Sequence, residues 1–339
     1  MQENKSNANS SVNLGPNQLL INGNWEHGCG GEVIAVECPA NKKIICSVPR
    51  GNSEDVDKAV NAAESAFSSW SRMPASDRGR FLLRIADAIE SRAEELARLV
   101  AHETGNAIRT QSRPEAYGCA AIFRYFGGLS NELKGTTYPA PDDVLCYTRR
   151  EPLGVVAAIV PWNSQLFLSA VKLGPALAAG CTCVVKAAPQ TALTSAAVLR
   201  LLSQVPDLPA GVVNSFSESS HDGAKLLVED PRVRVISYTG STHVGKQIAA
   251  AATATLKRVN LELGGSAPVI LLDDADLQSA VPQVVRAAIF ISGQQCVAAS
   301  RLLVSNTRLE EAKALFAKSL REIVVGSGSD PATQMGPMI

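Results

Sequence analysis

No block of like charge occurs along this sequence: lysine and arginine total 32, aspartate and glutamate total 32, and the signs are interspersed. A nucleic-acid or membrane-surface partner calls for a sustained basic face, so neither is expected. No apolar run reaches the roughly eighteen residues that a membrane-spanning helix needs. The best candidate is interrupted by Lys172 and Pro175, and no membrane partner is expected. The opening MQENKSNANSSVNLGPNQ lacks the apolar core of a secretory signal and is rich in Asn and Ser, so residues 1–17 are expected to form a disordered tail. The eight cysteines show no CxxC spacing, and Cys181 and Cys183 sit inside an apolar, strand-like run. Neither a zinc site nor a disulfide framework is indicated, no metal is expected, and the thiols fit a reducing, cytoplasmic setting.

What is present is an ordinary globular composition, 46% hydrophobic, in a chain of 339 residues, long enough for two domains or for one with an appendage. The first third reads helical. Ser53 is a candidate N-cap for SEDVDKAVNAAESAFSSW, whose apolar residues Val56, Ala59, Val60, Ala63, Phe67 and Trp70 follow helical spacing. A second helical pattern runs from Arg80 to Ala101. Residues 135–150, with Pro141-Asp142-Asp143 between two short β-prone runs, read as a projecting hairpin. From Leu153 onward apolar, β-branched runs alternate with helical patterns: LGVVAAIVP, CTCVVKAAP, GVVNSFS, VRVISYTG and, closing the series, APVILLDD. That rhythm predicts an α/β fold, an open parallel Rossmann-like sheet with helices on both faces. Ligands of such sheets bind beyond the strand carboxyl ends, so the loops there are the place to look for chemistry.

Each loop has two readings. Asn163, in Pro161-Trp162-Asn163, is an amide donor facing a cleft or an Asx-turn opening the next helix. Lys186 is a solvated strand end or a partner for a ribose hydroxyl or phosphate. In TGSTHVG, Gly240 would let backbone approach a ligand, and Ser241 with the following N–H groups would offer an anion site at a helix start; a plain strand-to-helix turn explains the same residues. Glu262, between leucines and ahead of two glycines, must be solvated through a cleft, paired, or raised in pKa. Seven cysteines have aliphatic or small neighbours suited to burial. Cys296 differs in following Gly293-Gln294, as a nucleophile needing backbone room would.

Taken together, PWN, GPALAAGCTCVVK, LPAGVVN, YTGSTHVG, NLELGG and GQQC resemble, in order and spacing, the aldehyde dehydrogenase superfamily over about residues 18–339. The resemblance implies oxidation of a small-molecule aldehyde to a carboxylic acid with NAD or NADP. Cys296 would be the nucleophile, passing through a thiohemiacetal and a thioester. Asn163 would supply the side-chain donor of the oxyanion hole, and Glu262 the base that activates water. Trp162, Lys186, Gly240, Ser241 and Val244 would be cofactor contacts. It also implies residues 18–262 as a dinucleotide-binding domain, residues 263–339 as the first part of a second α/β catalytic domain, and the 135–150 hairpin as an oligomerisation arm of a homodimer or homotetramer. By the same resemblance Glu262 favours the hydrolytic branch, since relatives that transfer the acyl group to coenzyme A are expected to lack this residue.

The sequence departs from the family at several points. Pro189 stands where NAD-preferring relatives carry a glutamate that holds the ribose diol, which leaves NADP open. Ile291 replaces the usual Asn, and Gln165 the usual Pro; both read as packing variations. Family members continue well beyond QMGPMI. The alternative expectation is therefore a catalytically inactive dinucleotide-binding fragment, with an uncovered sheet edge and weakened assembly. The identity of the aldehyde, aliphatic or aromatic, is not encoded in any residue named above.

Overall fold

The computed structural model describes residues 18–339; the expected tail, residues 1–17, lies outside the described residues. The chain begins with two short hairpins, β1 (Leu19–Ile21) with β2 (Asn24–Glu26) and β3 (Val33–Glu37) with β4 (Ile44–Pro49). Four helices follow: α1 (Ser53–Trp70), α2 (Ala75–Ser91), α3 (Ala93–Thr104) and α4 (Arg113–Leu129). The expected hairpin is present as β5 (Thr137–Tyr138) and β6 (Cys146–Tyr147). Strand–helix alternation then gives β7 (Val155–Ile159), α5 (Gln165–Ala178), β8 (Thr182–Ala187), α6 (Ala192–Ser203), β9 (Val213–Ser217), α7 (Asp222–Glu229), β10 (Val233–Gly240), α8 (Thr242–Ala252) and β11 (Arg258–Leu263). The last part holds β12 (Ala267–Leu271), α9 (Leu277–Ile289), β13 (Ala299–Val304) and α10 (Leu309–Arg321).

Local chemistry explains where the helices begin and break. The cap of α1 is Asn52 and not Ser53. The Asn52 side chain accepts from the Asp55 N–H and the Asp55 carboxylate accepts from the Asn52 N–H, a reciprocal box worth about 1 kcal/mol. The pattern from Arg80 to Ala101 is two helices, because Arg92 takes a non-helical φ of −116° and turns the chain between α2 and α3. α8 stops at Ala252, where a short 3₁₀ turn and the left-handed Leu256 end it.

The main sheet has the order β11-β10-β7-β8-β9-β1-β2. Strands β7 to β11 are parallel, and β1 joins β9 antiparallel, so a hairpin from the chain start closes one edge. Two cores sandwich the sheet. One lies under α2 to α6 and includes Phe81, Leu82, Ile85, Phe123, Leu166, Leu173 and Val198. The other lies under α1, α7 and α8 and includes Val56, Val60, Ile159, Phe216, Leu227, Ile236 and Ile248. This is the α/β sheet with helices on both faces that the sequence predicts. One strand is reassigned: β12, the APVIL run, leaves the series and pairs in parallel with β13 in a separate two-stranded sheet over its own small core of Leu271, Leu277, Val281 and Val285. Ile270, Leu272 and Leu303 are exposed there. β11 instead forms the sheet edge.

The order contains a reversal. From β7 the chain builds outward through β8 and β9, then returns so that β10 lies on the other side of β7. Loops leaving β7 and β10 diverge at this point and open a crevice, where open α/β sheets place their ligands.

Candidate functional site at the sheet switch point

Asn163 lies in the loop that leaves β7, one residue before Ser164, which precedes α5. Its carboxamide Nδ2 donates to the Gln294 carbonyl at 2.9 Å, across 131 positions of sequence. An amide nitrogen carries two hydrogens, so one donor remains to be offered. Its Oδ1 is buried without a hydrogen-bond partner. Gln294 is two residues before Cys296, so this bond ties the loop after β7 to the cysteine loop.

That loop has an unusual backbone. Ile291, Ser292 and Gly293 are consecutively left-handed, with φ of 52°, 53° and 77°. For the β-branched Ile291 this costs about 1–2 kcal/mol. The conformation is held from outside: Ser292 Oγ donates to the Gly336 carbonyl at 2.9 Å, and Gln294 Oε1 accepts from the Ile339 N–H at 3.3 Å. Position 291 is thus more than a packing variation, because Asn tolerates the left-handed region that isoleucine resists. Cys296 itself is exposed in the turn before β13. A methyl group added at Gly265 would stand 3.4 Å from the Cys296 carbonyl oxygen, so the Gly264-Gly265 loop after Glu262 abuts the cysteine loop. Cys29 and Cys146 are exposed as well, against the expectation that the other seven thiols suit burial; none of the eight forms a disulfide.

Glu262 is the penultimate residue of β11. Of the three settings open to it, the structure selects solvation. Along β11, Val259, Leu261 and Leu263 turn to the core under α8, and Arg258, Asn260 and Glu262 turn outward and are exposed. Residues directly opposite in neighbouring strands share a face. Glu262 pairs with Thr239, and Ser237 lies two residues before Thr239 on that face. Lys172 of α5 reaches the same face, and its Nζ donates to Ser237 Oγ at 3.1 Å. Burial lowers the Lys172 pKa to about 8, with the Glu262 charge opposing the shift. In the sequence Lys172 stands only as an interruption of an apolar run. A single lysine among the apolar residues of a helix that covers a sheet was the available signal for it.

Four helices follow parallel strands of the main sheet, and an anion could in principle bind at the amino end of each. Three of those ends are filled by glutamates of this chain. Glu115 Oε1 accepts from the Leu166 and Phe167 N–H groups at 2.9 and 3.4 Å at the start of α5. Glu103 accepts from the Leu193 and Thr194 N–H groups, each at 2.8 Å, and from the Thr194 hydroxyl, at the start of α6. Glu218 accepts from Gly223 N–H at 2.7 Å and Ala224 N–H at 2.9 Å at the start of α7. Burial raises the pKa values of Glu103 and Glu115 to about 7, against the pull of those donors. Only α8 is left without a carboxylate. Its cap is Ser241, whose Oγ accepts from Val244 N–H at 3.3 Å. Gly240 precedes it, and a Cβ there would collide with the Tyr238 hydroxyl, so the backbone stays bare.

The residues around the crevice fit a dinucleotide. α8 offers an open amino end, Lys186 closes β8 with its side chain 11% exposed, and Trp162 stands half-buried beside Asn163. Two buried side-chain oxygens without partners, Asn163 Oδ1 and Thr239 Oγ1, sit at the ends of β7 and β10 on either side of the switch point. No group of metal-ligating side chains occurs among the described residues, and none of their helices is long and apolar enough to cross a membrane.

Comparison with known proteins decides the family. Residues 25–339 match the aldehyde dehydrogenase family model. The chain belongs to the aldehyde dehydrogenase family. It is 40% identical over 332 residues to phenylacetaldehyde dehydrogenase of Pseudomonas fluorescens, covering 96% of this chain and 66% of that one. Among solved structures, PnpE from Pseudomonas sp. WBC-3 superposes with a TM-score of 0.92 at 40% identity, over 96% of this chain and 66% of that chain. PnpE is also known in complex with nicotinamide adenine dinucleotide. An E. coli NADP-dependent enzyme superposes with a TM-score of 0.94 at 34% identity, over 97% of this chain and 68% of that one. The chain spans a little under two thirds of the length of the curated relatives it matches, 66% for phenylacetaldehyde dehydrogenase and 64% for mouse retinaldehyde dehydrogenase 3. The cysteine loop, the loop after β7 and the loop that leaves β11 lie against one another.

Proposed function

We propose that the chain carries the reacting residues of an NAD(P)-dependent aldehyde dehydrogenase of the hydrolytic branch. The observation behind this reading is the contact of three loops distant in sequence: Asn163 bonded to the Gln294 carbonyl, and Gly265 against the Cys296 carbonyl. Cys296, as thiolate, attacks the aldehyde carbon, and the carbonyl oxygen becomes an oxyanion. The free N–H of Asn163 and the Cys296 backbone N–H stabilise it; one such donor is worth about 3–4 kcal/mol in comparable sites. The nicotinamide, when bound, supplies the hydride acceptor. Glu262 removes a proton from the water that hydrolyses the resulting thioester, releasing a carboxylic acid and the free thiolate. Gly240, Ser241 and Val244 hold the pyrophosphate end, and Lys186 and Trp162 flank the remainder.

In this reading residues 18–262 form the dinucleotide-binding domain and residues 263–339 the first part of the catalytic domain. The β5–β6 hairpin, with Tyr138, Leu145 and Tyr147 exposed, serves assembly into a homo-oligomer. Eight cysteines without a disulfide among them support a cytoplasmic setting. The substrate is a small aldehyde, aliphatic or aromatic.

The open position of Glu262 and Cys296 favours a second reading, in which the chain binds dinucleotide without turning over aldehyde. One experiment separates the two. Reduced nicotinamide is followed at 340 nm with NAD or NADP and an aliphatic or an aromatic aldehyde, with Cys296→Ala alongside. Turnover lost in the variant supports the enzyme. Dinucleotide binding without turnover, in a chain shown to be folded, supports the second reading. Turnover that persists in Cys296→Ala refutes the catalytic assignment.

A further inference from the structure

Lys186 and Glu218 form a buried pair at the carboxyl ends of adjacent strands. Lys186 belongs to β8 and Glu218 follows β9, and the Lys186 Nζ lies 4.0 Å from the Glu218 Oε1. Glu218 is 1% exposed and already holds two first-turn amides of α7, those of Gly223 and Ala224. We propose that Glu218 sets the dinucleotide preference of this chain, making the adenosine end of the crevice selective for NAD over NADP. The proposal rests on the cofactor reading given above.

NADP differs from NAD by a 2′-phosphate, which brings about −1.5 to −2 of charge at neutral pH. Retaining it requires an uncompensated cation. Lys186 is the cation that closes β8, and Glu218 neutralises it at close range in a setting that water screens poorly. The other cation of this corner is Arg50. Its guanidinium is paired with Glu32, donates to Ser220 Oγ at 3.0 Å and lies 3.9 Å from Asp222. Three carboxylates, those of Glu218, Glu32 and Asp222, thus face two cations. The α7 amino end, which could have received a phosphate, is filled by Glu218 itself.

The same pair suits a bare ribose. An ammonium has three donors, and at 4.0 Å Glu218 acts on Lys186 by charge without taking one of them, leaving them for hydroxyl oxygens. The carboxylate missing at Pro189 is therefore supplied by the neighbouring strand. It acts through the lysine and the electrostatic field and does not touch the diol, because it is buried.

The test is binding, with no turnover required. The 339-residue chain is titrated with NAD and NADP, and separately with 5′-AMP and adenosine 2′,5′-bisphosphate, by calorimetry. The expected result is a preference of at least about tenfold for the ligand without the 2′-phosphate in each pair, equal to about 1.4 kcal/mol. Glu218→Gln keeps an acceptor for one of the two α7 amides and removes the charge. It is expected to strengthen NADP binding by about fivefold or more and to leave NAD within about twofold. Equal affinity for the two dinucleotides in the wild-type chain overturns the proposal, and that measurement stands even where Glu218→Gln fails to fold. An unchanged ratio in a folded Glu218→Gln chain also overturns it. Failure of a folded wild-type chain to bind either dinucleotide overturns the cofactor reading, and this proposal with it.

Discussion

Replacing Glu115 by Gln should change how the stability of the fold depends on pH, in a direction opposite to that of most carboxylates. Glu115 lies on α4, buried, and holds the first turn of α5 immediately after Asn163. Burial raises its pKa from 4.5 to about 7, while the Leu166 and Phe167 amides and the Ser164 side chain pull it down. The folded state therefore binds this proton more tightly than the unfolded chain does. The associated stability is fully present below pH 4.5 and is lost as pH rises through about 7. Between pH 5 and pH 8 the loss is about 2–3 kcal/mol, at 1.4 kcal/mol for each tenfold change in proton affinity.

Glu115→Gln has the same shape, keeps an oxygen for both amides and never ionises. The variant should match the wild-type chain within about 1 kcal/mol at pH 5. Relative to wild type, it should gain about 2–3 kcal/mol by pH 8. Glu103 has the same sign of shift and remains in both chains, so its contribution cancels in the difference. Urea unfolding at closely spaced pH values, with the slope against urea checked for constancy, reads the difference directly. Parallel curves would refute the reasoning. A variant that loses ground as pH rises would show the reverse: a carboxylate whose bonds to the α5 amides outweigh its burial.

Two further substitutions probe the site loops. Ile291→Asn should cost less than about 2 kcal/mol in a urea unfolding series, because relief of a left-handed isoleucine offsets lost apolar burial. Ile85→Asn, in the right-handed helix α2 and fully buried, should cost more than about 4 kcal/mol, and similar losses at both positions would refute the strain argument. Gly240→Ala would press a methyl group onto the Tyr238 hydroxyl and should weaken dinucleotide binding at least about tenfold. Tyr238→Phe in the same chain should restore part of that affinity in a calorimetric titration, and no restoration would mean that the clash is not the cause.

Much of the fold could be read because β7, β8 and β9 are buried on both faces and so appear as continuous apolar runs, whatever their partners are. The antiparallel edge strands β1 and β2 have three residues each, too few to show a period. The Asn52 cap shows a similar limit at smaller scale, since Asn and Ser are adjacent and both cap well. The candidate residues stood out in the sequence because the chemistry they suggest is local: a strand end, a glycine and a reactive side chain within a few positions. Their settings were not. Glu262 between two leucines suggests a hydrophobic surround, but alternation along an edge strand sends the leucines inward and the carboxylate to solvent.

The capping glutamates were the least legible feature and bear most on the binding reading. Glu103 and Glu115 reach amides 91 and 51 residues away, and nothing local distinguishes them from solvated helix residues. Their effect is by exclusion. A bare helix start is a generic anion site, so four of them along one sheet rim would bind a diphosphate without register. With α5, α6 and α7 filled, the open end is α8, beside the switch point and on the strand next to Glu262. A dinucleotide anchored there by its pyrophosphate would extend along the crevice that Asn163 and Thr239 border. On this view the position of the cofactor is determined as much by the three helix ends that are filled as by the residues that would touch it.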